Sequence, residues 1–302
     1  QVDVLFLYSE DGYNTRGVSA DQMETMIAGE LPLTNEATDN SGVDLHFNLV
    51  HVAELPYAQA NQDSSSGLTT LRSNADVAQM RDDYGADLVI LAGAFPDVCG
   101  RGYLNTDTVP SHDIWGYSLI DVWCFGGFTT SHELGHNMGL HHDRDNIGGW
   151  PGTGYAFGAR DCHGDTRYRT ILAYPCYWPT DQVGDTGYAP RINLFSGPDV
   201  SYLGVPVGTA TENNAQALRD NMEVVSNFRG EGPCTPSPCG DNAVCTVSGG
   251  ASECTCVDGY ENTGTGDEFI CTLIVDACAS NPCGDNAVCE VVDNNVSCSC
   301  ED

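Results

Sequence analysis

Two histidines and a glutamate carry the strongest chemical signal in the sequence. His132 and His136 are four residues apart, so on a helix both imidazoles lie on one face and reach the same metal ion. Glu133 follows the first histidine and is placed to hold and deprotonate a water molecule. Gly139 allows the helix to end in a tight turn, after which the chain can present His142 as a third ligand. Three protein ligands leave a fourth position open, which is typical of catalytic zinc sites.

The spacing selects His142 over the adjacent His141, which we interpret as a surface or supporting residue. A pair of helical histidines alone is weak evidence, but the added glycine, third histidine and Asp143 make a chance match rare. The remaining histidines stand alone in the sequence and are not predicted to bind metal: His46, His51, His112 and His163.

A layered α/β domain is predicted to position these residues, because strand-like and helix-like segments alternate in the first hundred residues. Apolar, β-rich runs predict strands at 2–8, 43–55 and 87–92, the last of them central. Apolar residues at helical spacing predict helices from 19 to about 32, at 74–84 and at 211–228. Pro32 is expected to end the first helix, and 148–164 is expected to be a loop.

The last 69 residues are a cysteine-rich repeat that contains 11 of the 15 cysteines. Residues 238–245 recur identically at 282–289, and this cysteine density is typical of secreted disulfide scaffolds. We therefore predict domains at 1–229, 234–271 and 278–302, with linkers at 230–233 and 272–277. We expect a processed form of a secreted precursor. The second copy has five cysteines where the first has six, so we expect that the natural chain continues past Asp302 or was cut there.

The four cysteines before the repeat are predicted to pair locally as Cys99–Cys124 and Cys162–Cys176, although three pairings are open to them. A second zinc site is the weaker interpretation, since none of these four forms a Cys-x-x-Cys motif. Spacing alone leaves 15 pairings open for the six cysteines of the first repeat copy.

The charge of the chain excludes several classes of function. All 11 basic residues are arginine, and 43 acidic residues give a net charge of −32. Binding to nucleic acid or to an anionic membrane requires cations that the chain lacks. No apolar run approaches the 18 residues that would predict membrane insertion, and a hydrophobic content of 41% argues against disorder.

The histidine motif resembles that of the metzincin clan of zinc endopeptidases. Reprolysin-like enzymes and bacterial peptidyl-Asp metalloendopeptidases also carry an Asp after the third histidine, as Asp143 does here. Similarity to the second group covers about the first 229 residues, including 40–45, 49–54, 84–89, 168–174 and 190–196. It implies an α/β (α+β) domain with a mixed twisted sheet and an active-site helix. It also implies one catalytic Zn²⁺ and hydrolysis of protein or peptide substrates with Glu133 as general base.

The resemblance also implies roles for residues around the metal. Metzincins carry a methionine in a turn beneath the metal, and Leu172 occupies that position; because the two side chains are nearly isosteric, we expect the site to survive. Tyr174 is predicted to line the substrate pocket. Cleavage on the amino side of Asp would require a cationic anchor, for which Arg167 and Arg169 are the preferred pair. Three further arginines lie in segments that could approach the cleft: Arg101, Arg160 and Arg191.

The repeat copies resemble EGF-like modules, which usually mediate contacts with proteins or surfaces. The resemblance implies five disulfides: Cys234–Cys245, Cys239–Cys254, Cys256–Cys271, Cys278–Cys289 and Cys283–Cys298. It also admits Ca²⁺ at Asp276, although Ala277 departs from the usual pattern. The loop containing Asp143, Asp145 and Asn146 is a further candidate for calcium.

Two alternatives to an Asp-selective protease remain open at the level of sequence. One is a broad-specificity reprolysin-like protease. The other is an adhesion or binding protein with an inactive protease domain, which would need a damaged metal site.

Overall fold

The computed structural model describes residues 1–59, 62–147, 154–163, 165–176, 189–230, 232–234, 237–248, 251–264, 269–274, 287–292 and 295–300. The chain divides into two compact units, Gln1–Thr235 and Pro236–Asp302. Every helix in the described residues is too short or too polar to cross a lipid bilayer.

A mixed five-stranded sheet lies at the centre of the first unit. Its strands are β1 (Val2–Tyr8), β2 (Phe47–Glu54), β3 (Leu88–Gly93), β4 (Gly100–Gly102) and β5 (Tyr117–Asp121). Their spatial order is β2-β1-β3-β5-β4. Strands β2, β1, β3 and β5 are parallel to one another, and β4 pairs antiparallel with β5 at the edge. This arrangement confirms the predicted fold class.

Helices cover both faces of the sheet. They are α1 (Glu10–Arg16), α2 (Ala20–Ala28), α3 (Glu30–Asn40), α4 (Ser64–Ser73), α5 (Ala75–Asp83), α6 (Thr129–Asn137) and α7 (Asn214–Val225). Val4 and Phe6 of β1 share a buried cluster with α2, α3, α6 and α7, while Leu5 and Leu7 share one with α4 and α5. Successive strand residues point to opposite faces, so a strand buried on both sides is apolar throughout.

The helices differ from the sequence prediction at three points. Pro32 does not end a helix: α2 ends at Ala28, and Pro32 lies in the first turn of α3, where backbone N–H groups have no intrahelical acceptor. The sequence prediction did not include α1 and α4, although both begin at an N-cap. Ser9 accepts a hydrogen bond from Gly12, and Asp63 accepts one from Ser66.

Short strands follow α6. They are β6 (His141–Asp143), β7 (Phe157–Gly158), β8 (Arg160–Asp161), β9 (Tyr168–Arg169), β10 (Ser201–Tyr202) and β11 (Val205–Pro206). The segment expected to be a loop at 148–164 therefore contains β7 and β8 within its described part. Short 3₁₀ helices occupy Pro110–Trp115, Val122–Cys124 and Arg144–Asn146. Disulfides join Cys99 to Cys124 and Cys162 to Cys176.

The second unit consists of hairpins held by disulfides. Its strands are β12 (Ala243–Ser248), β13 (Ala251–Cys256), β14 (Tyr260–Asn262), β15 (Cys271–Leu273), β16 (Ala287–Val292) and β17 (Asn295–Cys300). Disulfides join Cys239 to Cys254 and Cys256 to Cys271, and Cys234 and Cys245 are also disulfide-bonded. The Cys245↔Cys254 register of the first hairpin recurs in the second copy as Cys289↔Cys298.

Some predictions for the C-terminal region lie outside the described residues. These are the pairs Cys278–Cys289 and Cys283–Cys298 and the candidate calcium residue Asp276. The boundary between the two compact units falls after Thr235, and the domain and linker bounds given above stay predictions. Gly232 belongs to the first unit and lies close to Gly85: an ideal Cβ at Gly85 would be 2.3 Å from the backbone nitrogen of Gly232.

Candidate active site

A tight turn at the C-terminal end of α6 brings three histidines together. His132 and His136 are buried on α6, and the helix closes where the backbone N–H of Leu140 donates to the Gly135 carbonyl. Gly139 follows the helix with φ +89°, a conformation that L side chains rarely adopt. The chain then reverses into β6, which carries His142.

The Nε2 atoms of the three histidines converge on one point. His142 Nε2 lies 3.1 Å from His132 Nε2 and 2.9 Å from His136 Nε2. Tetrahedral zinc with Zn–N bonds of about 2.0–2.1 Å separates its nitrogens by about 3.4 Å, so a shift of about half an ångström admits the ion. Within the described part of the chain, these three residues are the one group of three or more candidate ligands with metal-binding spacing.

Backbone carbonyls fix the orientation of each imidazole. The Nδ1 atoms of His132, His136 and His142 lie 2.8, 2.7 and 3.3 Å from the carbonyl oxygens of Ile171, Leu140 and Asn146, respectively. A carbonyl can only accept, so Nδ1 carries the proton and the Nε2 lone pair is directed to the centre. Burial lowers the pKa of all three histidines, to about 3 for His136, which keeps the imidazoles neutral as metal binding requires.

Glu133 is buried beneath the edge strand β4. An ideal Cβ on Gly100 would lie 2.5 Å from its Oε1 atom, so glycine leaves the space that the carboxylate occupies. The Gly102 N–H donates to the same carboxylate. Burial raises the pKa of Glu133 to about 8, while the positive charges of Arg191 and Arg101 lower it. A divalent cation at the histidine centre would also favour the ionised carboxylate.

The turn at 171–174 lies beneath the histidine centre. Ile171 supplies the carbonyl that orients His132, and the fully buried Leu172 packs so closely on α6 that a Cβ at Gly135 would lie 3.0 Å from its Cδ2 atom. The role that the resemblance implies for Leu172 stays a prediction. The ring of Tyr174 lies 4.1 Å from that of His142, and the side chain is 41% exposed.

Comparison with known proteins agrees with this geometry. Residues 25–143 match the family model described as Metallo-peptidase family M12B Reprolysin-like. This stretch of the chain is thus similar to a reprolysin-like metallopeptidase domain. A peptidyl-Asp metalloendopeptidase of Pseudomonas aeruginosa is 27% identical over 267 residues, which cover 78% of the chain and 43% of that relative. One from Stenotrophomonas maltophilia strain R551-3 is 26% identical over 222 residues, which cover 68% of the chain and 48% of the relative.

The chain spans less than half the length of these relatives. A solved structure titled "Structure of a chaperone-substrate complex" is also similar, with a TM-score of 0.58 at 21% identity. The match covers 76% of the chain and 36% of that structure's chain. At this level of identity the likeness shows the fold alone.

A cavity of about 390 Å³ opens onto the three histidines and Glu133. Tyr174 lines it, as do Arg101 and Arg191. The predicted pair Arg167 and Arg169 is not among the residues that line it. Arg167 is exposed, and Arg169 donates from Nη1 to the Ala173 carbonyl at 3.1 Å.

Asp143 connects the third histidine to the turn beneath the site. Its Oδ1 atom lies 3.2 Å from Arg160 Nε, and its Oδ2 atom accepts a hydrogen bond from the Tyr174 backbone N–H at 2.9 Å. Asn146 donates to both carboxylate oxygens. Of the residues proposed for calcium in this loop, Asp145 also pairs with Arg160, at 2.9 Å. Both carboxylate oxygens of Asp143 and Oδ2 of Asp145 are therefore engaged within the protein.

Sequence analysis missed two glycines at the site, and it did not distinguish one arginine from the other candidates. Gly100 and Gly102 carry a weak signal, a pair of glycines two residues apart after a cysteine, and their contact with Glu133 is non-local. Arg191 was one of five open arginines, and only the folded chain shows that it lines the cavity.

Proposed function

We propose that the chain is a secreted zinc-dependent endopeptidase that uses Glu133 as its general base. The observation that carries the proposal is the convergence of three oriented Nε2 atoms beside a buried glutamate, within a cavity open to substrate. An inactive binding protein would need a damaged centre, and all elements of this one are present.

The residues fit a zinc ion. His132, His136 and His142 would hold it through neutral Nε2 atoms, the donor type that zinc prefers, and leave a fourth position open. When bound, zinc supplies Lewis acidity, which polarises a carbonyl and lowers the pKa of water to about 7.

Glu133 would move the proton in peptide hydrolysis. The carboxylate is next to the histidine centre, where it can accept a proton from the attacking water and then pass it to the leaving amine. The Gly102 N–H holds the carboxylate in place, and the close fit of Gly100 restricts its rotamers. Such positioning is what proton transfer at a defined atom requires.

A polypeptide substrate suits the edge strand. β4 pairs with β5 on one side and ends the sheet on the other, and its residues line the cavity. An extended peptide can add to such an edge through main-chain hydrogen bonds, which favours protein or peptide substrates. The names of the relatives support a preference for Asp after the scissile bond. Broad specificity is the alternative that cleavage-site profiling would reveal.

Secretion is supported by the disulfides of both units, because such bonds persist in oxidising compartments. We propose that residues 234–271 and 278–302 are EGF-like modules that contact proteins or surfaces. Calcium binding by the second unit remains part of this proposal and would be seen by titration calorimetry of the full chain.

Metal content and activity test the proposed function together. The purified chain should contain one zinc per molecule and cleave casein, lose both properties with a chelator, and regain them when zinc is restored. A metal-loaded chain without peptidase activity would favour the binding-protein alternative. A chain that does not bind zinc would contradict the assignment of the histidines.

A further inference from the structure

Arg191 is a partly buried cation at the wall of the metal cavity, and it has no carboxylate partner among the described residues. Its Nη1 atom donates to the Gly127 carbonyl at 3.0 Å, and its buried Nε atom has no hydrogen-bond partner among the described residues. The ion pairs found in that part of the chain use Arg160 and Arg229 instead. Acidic residues outnumber arginines by 43 to 11, so a partly buried arginine without a carboxylate among the described residues requires a physical reason.

A second arginine lies directly beside it. Arg169 and Arg191 form a parallel bridge, in which the Arg169 N–H donates to the Pro190 carbonyl and the Ile192 N–H to the Arg169 carbonyl, both at 2.9 Å. The Nε atom of Arg169 is likewise buried and unpartnered within the described residues. Two adjacent, partly buried cations raise the free energy of the folded state, and an anion bound between or beside them lowers it.

Glu133 does not supply that anion. Its charge raises the pKa of Arg191, yet the two residues form no ion pair within 4 Å. Glu133 is also assigned to the reaction itself. Arg101, the other arginine of the cavity, is exposed and donates from Nε to Ser64 Oγ at 2.8 Å. Neither arginine of the cavity pairs with a carboxylate among the described residues, and Arg191 is the more buried of the two.

We infer that Arg191 binds the side-chain carboxylate of the substrate residue that follows the scissile bond, and is thereby a specificity-determining residue. The inference rests on the proposed endopeptidase function. The planar guanidinium presents parallel N–H groups that match the two oxygens of a carboxylate. Arg169 acts as a positioning residue, because its backbone fixes the Arg191 segment and its charge adds to the local positive field.

Matched peptides that differ only in Asp or Asn after the cleaved bond test the inference. A charged hydrogen-bonded pair contributes enough for the wild type to prefer Asp by about 10- to 150-fold in kcat/KM. Arg191→Gln should reduce that ratio to about twofold or less, with the loss falling mainly on the Asp peptide. Arg167→Gln removes the same charge from an exposed residue outside the cavity and should leave the ratio unchanged.

A third peptide, which ends in Asn immediately after the cleaved bond, separates a side-chain carboxylate from a terminal one. Preference for this peptide over internal Asp would overturn the inference, as would an Asp preference that survives in Arg191→Gln. If Arg191→Gln cleaves neither peptide, Arg191→Lys decides: an intermediate Asp/Asn ratio supports the inference, and an unchanged ratio overturns it. Wild-type cleavage of Asp and Asn peptides at equal rates would overturn this inference alone. Wild-type cleavage of no peptide would overturn the proposed function as well.

Discussion

Replacement of Gly139 by alanine should distort the turn that places His142 beside the other two histidines, and should thereby weaken metal binding. The residue has φ +89°, and an ideal Cβ would lie 2.8 Å from Asn221 Nδ2 and 2.9 Å from the Asn105 carbonyl oxygen. Asn221 Nδ2 donates to the Met138 carbonyl at 2.8 Å, so the new methyl group must displace this hydrogen bond or move the turn.

The loss of folding stability in Gly139→Ala is the sum of three contributions. A left-handed conformation costs an L residue about 1–2 kcal/mol. Loss of the Asn221 hydrogen bond costs about 1 kcal/mol, and overpacking against the Asn105 carbonyl about 1–3 kcal/mol. Gly204 separates these effects, because it has φ +82° but no heavy atom within 4 Å of an ideal Cβ. Gly139→Ala should therefore destabilise the chain by about 2–4 kcal/mol more than Gly204→Ala.

Urea unfolding of both variants, with zinc removed by a chelator, measures this difference directly. A competition titration with a chromogenic chelator should then show weaker zinc binding for Gly139→Ala and unaltered binding for Gly204→Ala. Equal stabilities of the two variants, within about 0.5 kcal/mol, would refute the steric argument. Wild-type zinc affinity in Gly139→Ala would refute the link between the turn and the third histidine.

Three other perturbations test further parts of the structure. Asp143→Asn removes the charge that pairs with arginine beside the third histidine, and should weaken zinc binding by about 10- to 100-fold in the same chelator competition; unchanged affinity would contradict that role. Replacing Cys162 and Cys176 by alanine should lower the free energy of unfolding by about 3 kcal/mol, as expected for a short loop, and calorimetry would reveal a smaller effect if the loop is held by other contacts. Burial lowers the pKa of His51, which stacks on Tyr84, so the unfolded chain binds more protons than the folded one as pH falls through 6.5, and stability is lost there. His51→Gln should lose less stability than the wild type between pH 7 and pH 5 in urea unfolding, and equal losses would contradict the assignment.

Local signals in the sequence were sufficient for three of the five strands of the central sheet and for the helix that carries the histidine motif, but they did not predict β4 and β5. The apolar run that became β3 predicted a central strand, and the four-residue spacing of His132 and His136 predicted a helix with one metal-facing side. Both features depend on residues close together in the chain, where periodicity reports burial directly. Pro32 misled the prediction because proline ends a helix interior but is accepted in a first turn.

The arrangement around the cavity depends on contacts between distant segments. Gly100 makes room for Glu133 across 33 positions of sequence, and the bridge between Arg169 and Arg191 joins segments on either side of the turn beneath the site. Arginine spacing alone favoured Arg167 and Arg169, since both precede that turn. Only tertiary packing distinguishes an arginine that lines the cavity from one that faces solvent.

The most direct test of the central claim is the zinc content and turnover of Glu133→Gln. The amide has nearly the same shape as the carboxylate but cannot accept the proton, so the variant should keep one zinc per molecule. Its kcat should fall by about 10²- to 10⁴-fold on a peptide that the wild type cleaves. Retention of more than about a tenth of the wild-type kcat in the zinc-loaded variant would contradict the assignment of Glu133 as general base.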